Sequence, residues 1–288
     1  MEKKVLRPKK FEGMSIFRPP LCYELTGRRF ELVMDDGYDC VLEFTDREKL
    51  SFTFGENEAQ CYPYDCLKAD EDTYFVNFEA AAEGHVGRTY ILDLEHMLVT
   101  GARASMGHNP KFPRMTAIDF SFGAIRQEDG SLTEIRHGYT SGMAGKAVNW
   151  NYGLFEIVHV YSSERYYRVA FSEKRLERLR RENPNPPAFP KDKPMPVYED
   201  DLAMIKIKDN LYLVSLSERI LCQRNGHGNN LLFVMNFDTL HDVGRSYGTN
   251  ADWQDENYTV GAYGTFFETE MLTKPSTYYI REEEAEDE

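Results

Sequence analysis

No apolar run in this 288-residue chain approaches the length of a membrane-spanning helix, and basic residues are too few and too scattered to answer nucleic acid. A helical span needs about 20 consecutive apolar residues, so no membrane partner is expected. Lys and Arg number 34 against 48 Asp and Glu, for a net charge of −14. Phosphate backbones call for clustered cations, and the basic stretches at 2–10 and 174–181 are short and partly interleaved with Glu, so no nucleic-acid partner is expected. Cysteine is scarce and odd in number: Cys22, Cys40, Cys61, Cys66 and Cys222 have neither a disulfide framework nor zinc spacing. Seven scattered histidines give no metal triad. The stretch SGMAGKA at 141–147 lacks a phosphate loop's first glycine and its hydroxyl residue, where Thr140 and Ala147 stand, so neither metal nor cofactor is expected. No secretory leader is visible, and a cytoplasmic protein with reduced thiols is expected.

What the chain does have is aromatic and β-branched runs punctuated by turn residues, with 18 Tyr and 18 Phe. The stretch VNWNYGLFEIVHVYSSERYYRVAF at 148–171 reads as two strands and the start of a third. Side chains alternate along a strand, so Trp150 shares a face with Tyr152, and His159 shares one with Tyr161. The same arrangement occurs earlier. Gly27 and its following strands fall on Gly145 at a shift of 118 residues, which becomes 117 after the first turn. Tyr74 in DTYFVNF falls on Tyr212 in NLYLVSL at a shift of 138, which carries Gly123 onto Gly261. A fixed order of matched segments indicates two copies of one all-β unit.

Projecting one copy on the other exposes a difference. Trp150, Tyr152, His159, Tyr161 and Glu218 fall on Leu32, Met34, Leu42, Phe44 and Ala80. If these positions face inward, the first copy is filled as an ordinary core, while the second holds polar groups whose burial is costly unless they are paired or used. The competing expectation is a polar strand face turned to water.

In chain order, strands are expected at 30–34, 38–44, 50–54, 60–66, 73–78, 89–94, 98–104 and 116–125, then at 148–152, 155–161, 166–171, 202–207, 211–218, 231–237, 242–247 and 258–266. Asp35–Asp36–Gly37 is a hairpin signal. Segments 21–25 and 139–144 read as helical plugs closed by Gly27 and Gly145. Residues 173–183 read as a short helix, and 183–196 hold six of the thirteen prolines, which rules out a central strand. Meander strands at this spacing favour closed barrels, because closure removes exposed edges and leaves an interior that packs or holds one small ligand. The expected fold is all-β: two tandem lipocalin-like antiparallel β-barrels with short helices at the mouths, over 13–126 and 137–270, with a Pro-rich insert at 173–199 and loose tails at 1–12 and 281–288.

These features resemble the MoaF-like family, which carries a molybdenum cofactor biosynthesis label and has two lipocalin-like barrels. The likeness rests on GRRFELVMDDG at 27–37, GKAVNWNY at 145–152, HVYSSERYY at 159–167, YLVSLSE at 212–218 and VGRSYG through VGAYG at 243–264. The second copy also resembles the phenolic acid decarboxylases, single barrels in which a Tyr-x-Tyr strand binds the substrate carboxylate and a Glu in a Ser-Trp-Thr-Glu motif transfers the proton. Here WNY at 150–152 and SLSE at 215–218 stand in those places, so Tyr152 and Glu218 alone carry over. The Arg of that family falls in the Pro-rich insert and has no assigned counterpart.

The candidate catalytic residues are therefore Glu218, Tyr152 and His159. Apolar neighbours would favour a neutral Glu218, usable as acid or base near neutral pH, and His159 could shuttle a proton. Candidate ligand-binding residues are Trp150, Tyr161, Tyr166, Arg168, Tyr212 and Arg219. Arg219 and Arg245 are read as surface residues that could meet an acidic ligand bidentately. The expected function is binding of a small aromatic or anionic molecule in the second barrel, with cofactor-free decarboxylase or lyase chemistry. The alternative is a carrier or sensor without turnover. Self-association into a homo-oligomer stays open.

Overall fold

The computed structural model describes residues 14–153, 156–170, 199–250 and 253–266. The loose tails, the Pro-rich insert and the helix at 173–183 lie outside the described residues. Each half of the chain closes into an eight-stranded antiparallel barrel. The first barrel is built of β1 (Arg29–Met34), β2 (Cys40–Glu43), β3 (Lys49–Phe54), β4 (Gln60–Lys68), β5 (Thr73–Ala80), β6 (Val86–Asp93), β7 (Leu98–Ser105) and β8 (Ala117–Ile125), closed by β8 on β1. After a short strand β9 (Gly138–Tyr139), the second follows with β10 (Ala147–Asn151), β11 (Glu156–Tyr161), β12 (Tyr166–Ala170), β13 (Glu199–Lys208), β14 (Leu211–Ser217), β15 (Asn229–Asn236), β16 (His241–Thr249) and β17 (Asp255–Phe266), closed by β17 on β10. β9 lies on β13 outside the ring.

The barrels correspond strand for strand. The closing pair Asp93–Leu98 of the β6–β7 hairpin falls on Asn236–His241 of β15–β16, a shift of 143. Leu32 pairs with Ile125 and Trp150 with Gly264, which puts Gly123 opposite Ala262 and corrects the expected match to Gly261 by one residue. Loops of unequal length break the constant shift, and only the ladder register shows it.

One end of each barrel is plugged before its first strand. Leu25 and Met143 are buried there, and Gly27 and Gly145, at φ of +81°, donate their N–H groups to Phe44 and Tyr161. The plugs are turns, not the expected helices. Two or three residues with one αL glycine suffice to reverse the chain onto the first strand. The one α-helix among the described residues, α1 (Arg219–Asn225), stands at the other end of the second barrel. It follows β14 directly, so the strand expected to include Glu218 ends at Ser217, and Glu218 is the residue before the helix.

Each barrel has its own apolar interior, and a third cluster joins them. On β5, Tyr74, Val76 and Phe78 point into the first barrel while Phe75 points out against Leu213, Leu232 and Val234. That second contact is why β5 and β14 are buried along nearly their whole length instead of alternating. The seam also buries polar groups. Arg245 is fully buried, correcting its reading as a surface residue, and its guanidinium donates to Thr89 Oγ1 (3.2 Å), to the Asn230 carbonyl (3.0 Å) and to Asn230 Oδ1 (3.0 Å). At the seam's edge, Lys208 Nζ lies 2.9 Å from Glu95 and 3.4 Å from both Asp70 and Asp93.

Candidate functional site

The end of the second barrel away from the plug opens into a cavity of about 230 Å³. The β10–β11, β14–α1–β15 and β16–β17 connections lie around it, and Met14 from the N-terminal segment also lines it. Tyr152, His159 and Glu218 all line it, although they come from three segments. All five positions at which the copies differ are turned inward. Leu32, Met34, Leu42, Phe44 and Ala80 are buried in the first core; Trp150, Tyr152, His159 and Tyr161 are buried in the second, and Glu218 is half-buried at its cavity. The strand face is not turned to water.

Glu218 Oε2 accepts the Asn229 backbone N–H at 2.9 Å. Burial outweighs that bond and, helped by the carboxyls of Asp200 and Glu256, pushes the Glu218 carboxyl up to about 7. His159 stands among the rings of Tyr161, Tyr167 and Phe233. Burial holds its pKa down to about 3, so the ring is neutral, and Nδ1 has no hydrogen-bond partner. The Tyr152 hydroxyl donates to Asp242 Oδ2 at 3.4 Å, and Asp242 Oδ1 accepts the Ala262 N–H at 2.7 Å. Burial raises the Asp242 carboxyl well above the usual range. The Tyr152 ring faces the cavity while its hydroxyl is engaged elsewhere.

The expected ligand-binding residues are placed differently. Trp150 and Tyr161 lie in the core behind the cavity, joined by an indole-to-hydroxyl bond of 3.2 Å. The indole lies against Gly264, where a Cβ would come within 2.8 Å of the ring. Tyr166 is exposed on the outer surface, Arg168 pairs with Glu199 at 3.4 Å, and Arg219 pairs with Asp201 at 2.5 Å, all in solvent. Tyr212 packs on Phe237 at the plugged end. None of these six lines the cavity.

Four residues not singled out in the sequence shape the site: Asp242, Asn229, Asn250 and Glu256. Glu256 lies behind the wall and accepts from Ser246 Oγ (3.0 Å) and Asn229 Nδ2 (3.2 Å), with a further bond from Asn250. Its position in the strand-like run DENYTV gives no sign of burial. Among the described residues, only Asp93, Glu95 and His96 bring three ligating atoms within 4.8 Å of one another, and the Lys208 ammonium already answers that charge.

Fold and cavity define a protein of two tandem eight-stranded antiparallel barrels, the second hollow and polar at one end. Residues 11–108 match the family model of the MoaF N-terminal domain, so the first barrel, through β7, is a MoaF-type domain. No curated protein matches the chain. No helix among the described residues is long and apolar enough to cross a membrane. All five cysteines are free.

Proposed function

We propose that the second barrel takes up a small aromatic molecule in this cavity and that Glu218 is its acid–base group in a cofactor-free lyase-type reaction. The observation that carries the reading is Glu218 itself. A carboxyl raised to about 7 by burial can both give and take a proton near neutral pH, and it stands in one cavity with the Tyr152 ring and a neutral His159. The volume corresponds to roughly eight waters at about 30 Å³ each, which suits a ligand of single-ring size. The two barrels are copies of one unit, and the first, filled at the matching positions, serves as scaffold. The reading keeps the protein in the cytoplasm, without nucleic-acid or membrane partners.

The second reading is a carrier or sensor that binds without turnover. It is favoured by the engagement of the Tyr152 hydroxyl with Asp242, which takes that hydroxyl away from a substrate.

The test is a thermal-shift screen of hydroxycinnamates, aromatic amines and pterins, followed by turnover assays of wild type, Glu218→Gln and Tyr152→Phe. A bound ligand raises apparent stability by mass action. For the enzyme, Glu218→Gln abolishes turnover while binding survives. For the carrier, native mass spectrometry recovers the ligand unaltered. Binding and turnover unchanged in both variants would end the reading.

A further inference from the structure

The donor and acceptor balance of the cavity fixes what charge its occupant carries. The hydroxyl donors of the lining residues are spent before any ligand arrives, which leaves the ring N–H groups of His159 and His227. Tyr152 gives its hydroxyl proton to Asp242, Tyr258 to Met14 Sδ and Thr249 to Asp255. Ser246 and Asn229 both give theirs to Glu256, a carboxylate behind the wall that orients their acceptor atoms the other way. Asn229 Oδ1 and Glu256 Oε2 are buried behind the wall without a hydrogen-bond partner. Neither Arg nor Lys lines the cavity. The nearby arginines are used elsewhere, Arg219 on Asp201 and Arg245 on Asn230 and Thr89.

A carboxyl at the wall with no Arg or Lys beside it favours a cation, and so do the ring faces of Tyr152 and Tyr258. A metal ion is not the fitting cation, because the carboxylate and imidazole atoms here do not converge within 4.8 Å. Resting on the small-molecule reading of this cavity, we infer that its occupant is a small organic cation, an ammonium or amidinium borne on an aromatic ring, and not an anion. The ring lies against Tyr152 and Tyr258 and the cationic N–H groups meet Glu218. This narrows the lyase reading to proton transfer on a nitrogenous molecule and disfavours decarboxylation of a free aromatic acid.

Such a site binds more tightly as Glu218 ionises. Asp200, Glu256, Tyr167, Tyr258 and Cys222 bear on that titration, with His159 and His227 also at the cavity. The test uses three probes of one shape on the full chain, namely benzylamine, benzoate and benzyl alcohol, by calorimetry and thermal shift from pH 5.5 to 8.5. Benzylamine is expected to bind about tenfold or more tighter than benzoate at pH 8. Its affinity should fall as pH drops through 7, and that dependence should vanish in Glu218→Gln. Benzoate binding tighter than benzylamine, or benzylamine affinity rising toward acid pH, overturns the charge assignment and leaves the small-molecule reading standing. Binding by none of the three overturns both.

Discussion

Asn230 receives Arg245 twice, through its backbone carbonyl and its side-chain oxygen, each at 3.0 Å, in the fully buried seam between the barrels. No carboxylate among the described residues pairs with this guanidinium, and burial holds its pKa down to about 9. It is still charged at neutral pH, so its stability depends on neutral acceptors. Replacing Asn230 with Leu removes the side-chain acceptor, leaving the guanidinium only the backbone carbonyl and Thr89, and frees Ser215 and Ser217, to which Asn230 also donates. Breaking such an arrangement from one side costs about 3 kcal/mol. Urea unfolding should show that loss for Asn230→Leu and its partial recovery in the Asn230→Leu/Arg245→Met double variant. Two independent, additive losses would refute the coupling.

Glu218 and His159 pull the pH dependence of stability in opposite directions. The Glu218 carboxyl rises from 4.5 to about 7 on folding, so its contribution is fully present below 4.5 and is lost as pH rises through 7. His159 falls from 6.5 to about 3, so the unfolded chain takes the proton first and stability drops as pH falls from 6.5 toward 3. Glu218→Gln should therefore gain about 3 kcal/mol over wild type at pH 8 relative to pH 4. His159→Phe should instead flatten the acid side. Chemical denaturation from pH 4 to 8 measures both, and parallel curves for all three proteins would contradict this account.

Lys208 ties the second barrel to Asp93, which is fully buried and whose carboxyl is held down to about 2, despite burial, by His137, His96 and Lys208. Lys208→Met leaves that carboxylate with less compensation and should cost about 2–4 kcal/mol at pH 7. Lys206→Met removes an exposed pair with Asp209 and should change stability by less than about 0.5 kcal/mol. Equal effects of the two substitutions in urea titration would place the Lys208 contacts among ordinary surface pairs.

Cys22 is half-buried, and a hydrogen bond from Cys66 lowers its thiol to about 6, while Cys66 is buried and raised well above the usual value. Thiolates are the reactive form. Peptide mapping after brief iodoacetamide treatment at pH 7 should find Cys22 labelled well before Cys66, and Cys66→Ala, which removes the donor, should slow Cys22. An unchanged Cys22 rate in that variant would rule out activation by its neighbour.

The aromatic and β-branched runs, the αL glycines and the two-residue alternation were enough to read the strands and the two barrels, and they left open whether Tyr152, His159 and Glu218 turn inward. These are local properties, because pleat and turn act within a few residues. The plugs were located correctly, as single turns before Gly27 and Gly145, and α1 was missed because RILCQRN has no capping side chain of its own and its first N–H groups are taken by the distant Asp200. What only the tertiary structure decided is which polar atoms are already spoken for. The Tyr152 hydroxyl is taken by a residue 90 positions away, and Arg245 is buried against one 156 positions away. Sequence shows which groups a strand carries, whereas hydrogen-bond partners and burial depend on where distant segments come to rest. For that reason the residues around the cavity could be named along the chain, and which of their polar atoms stay free could not.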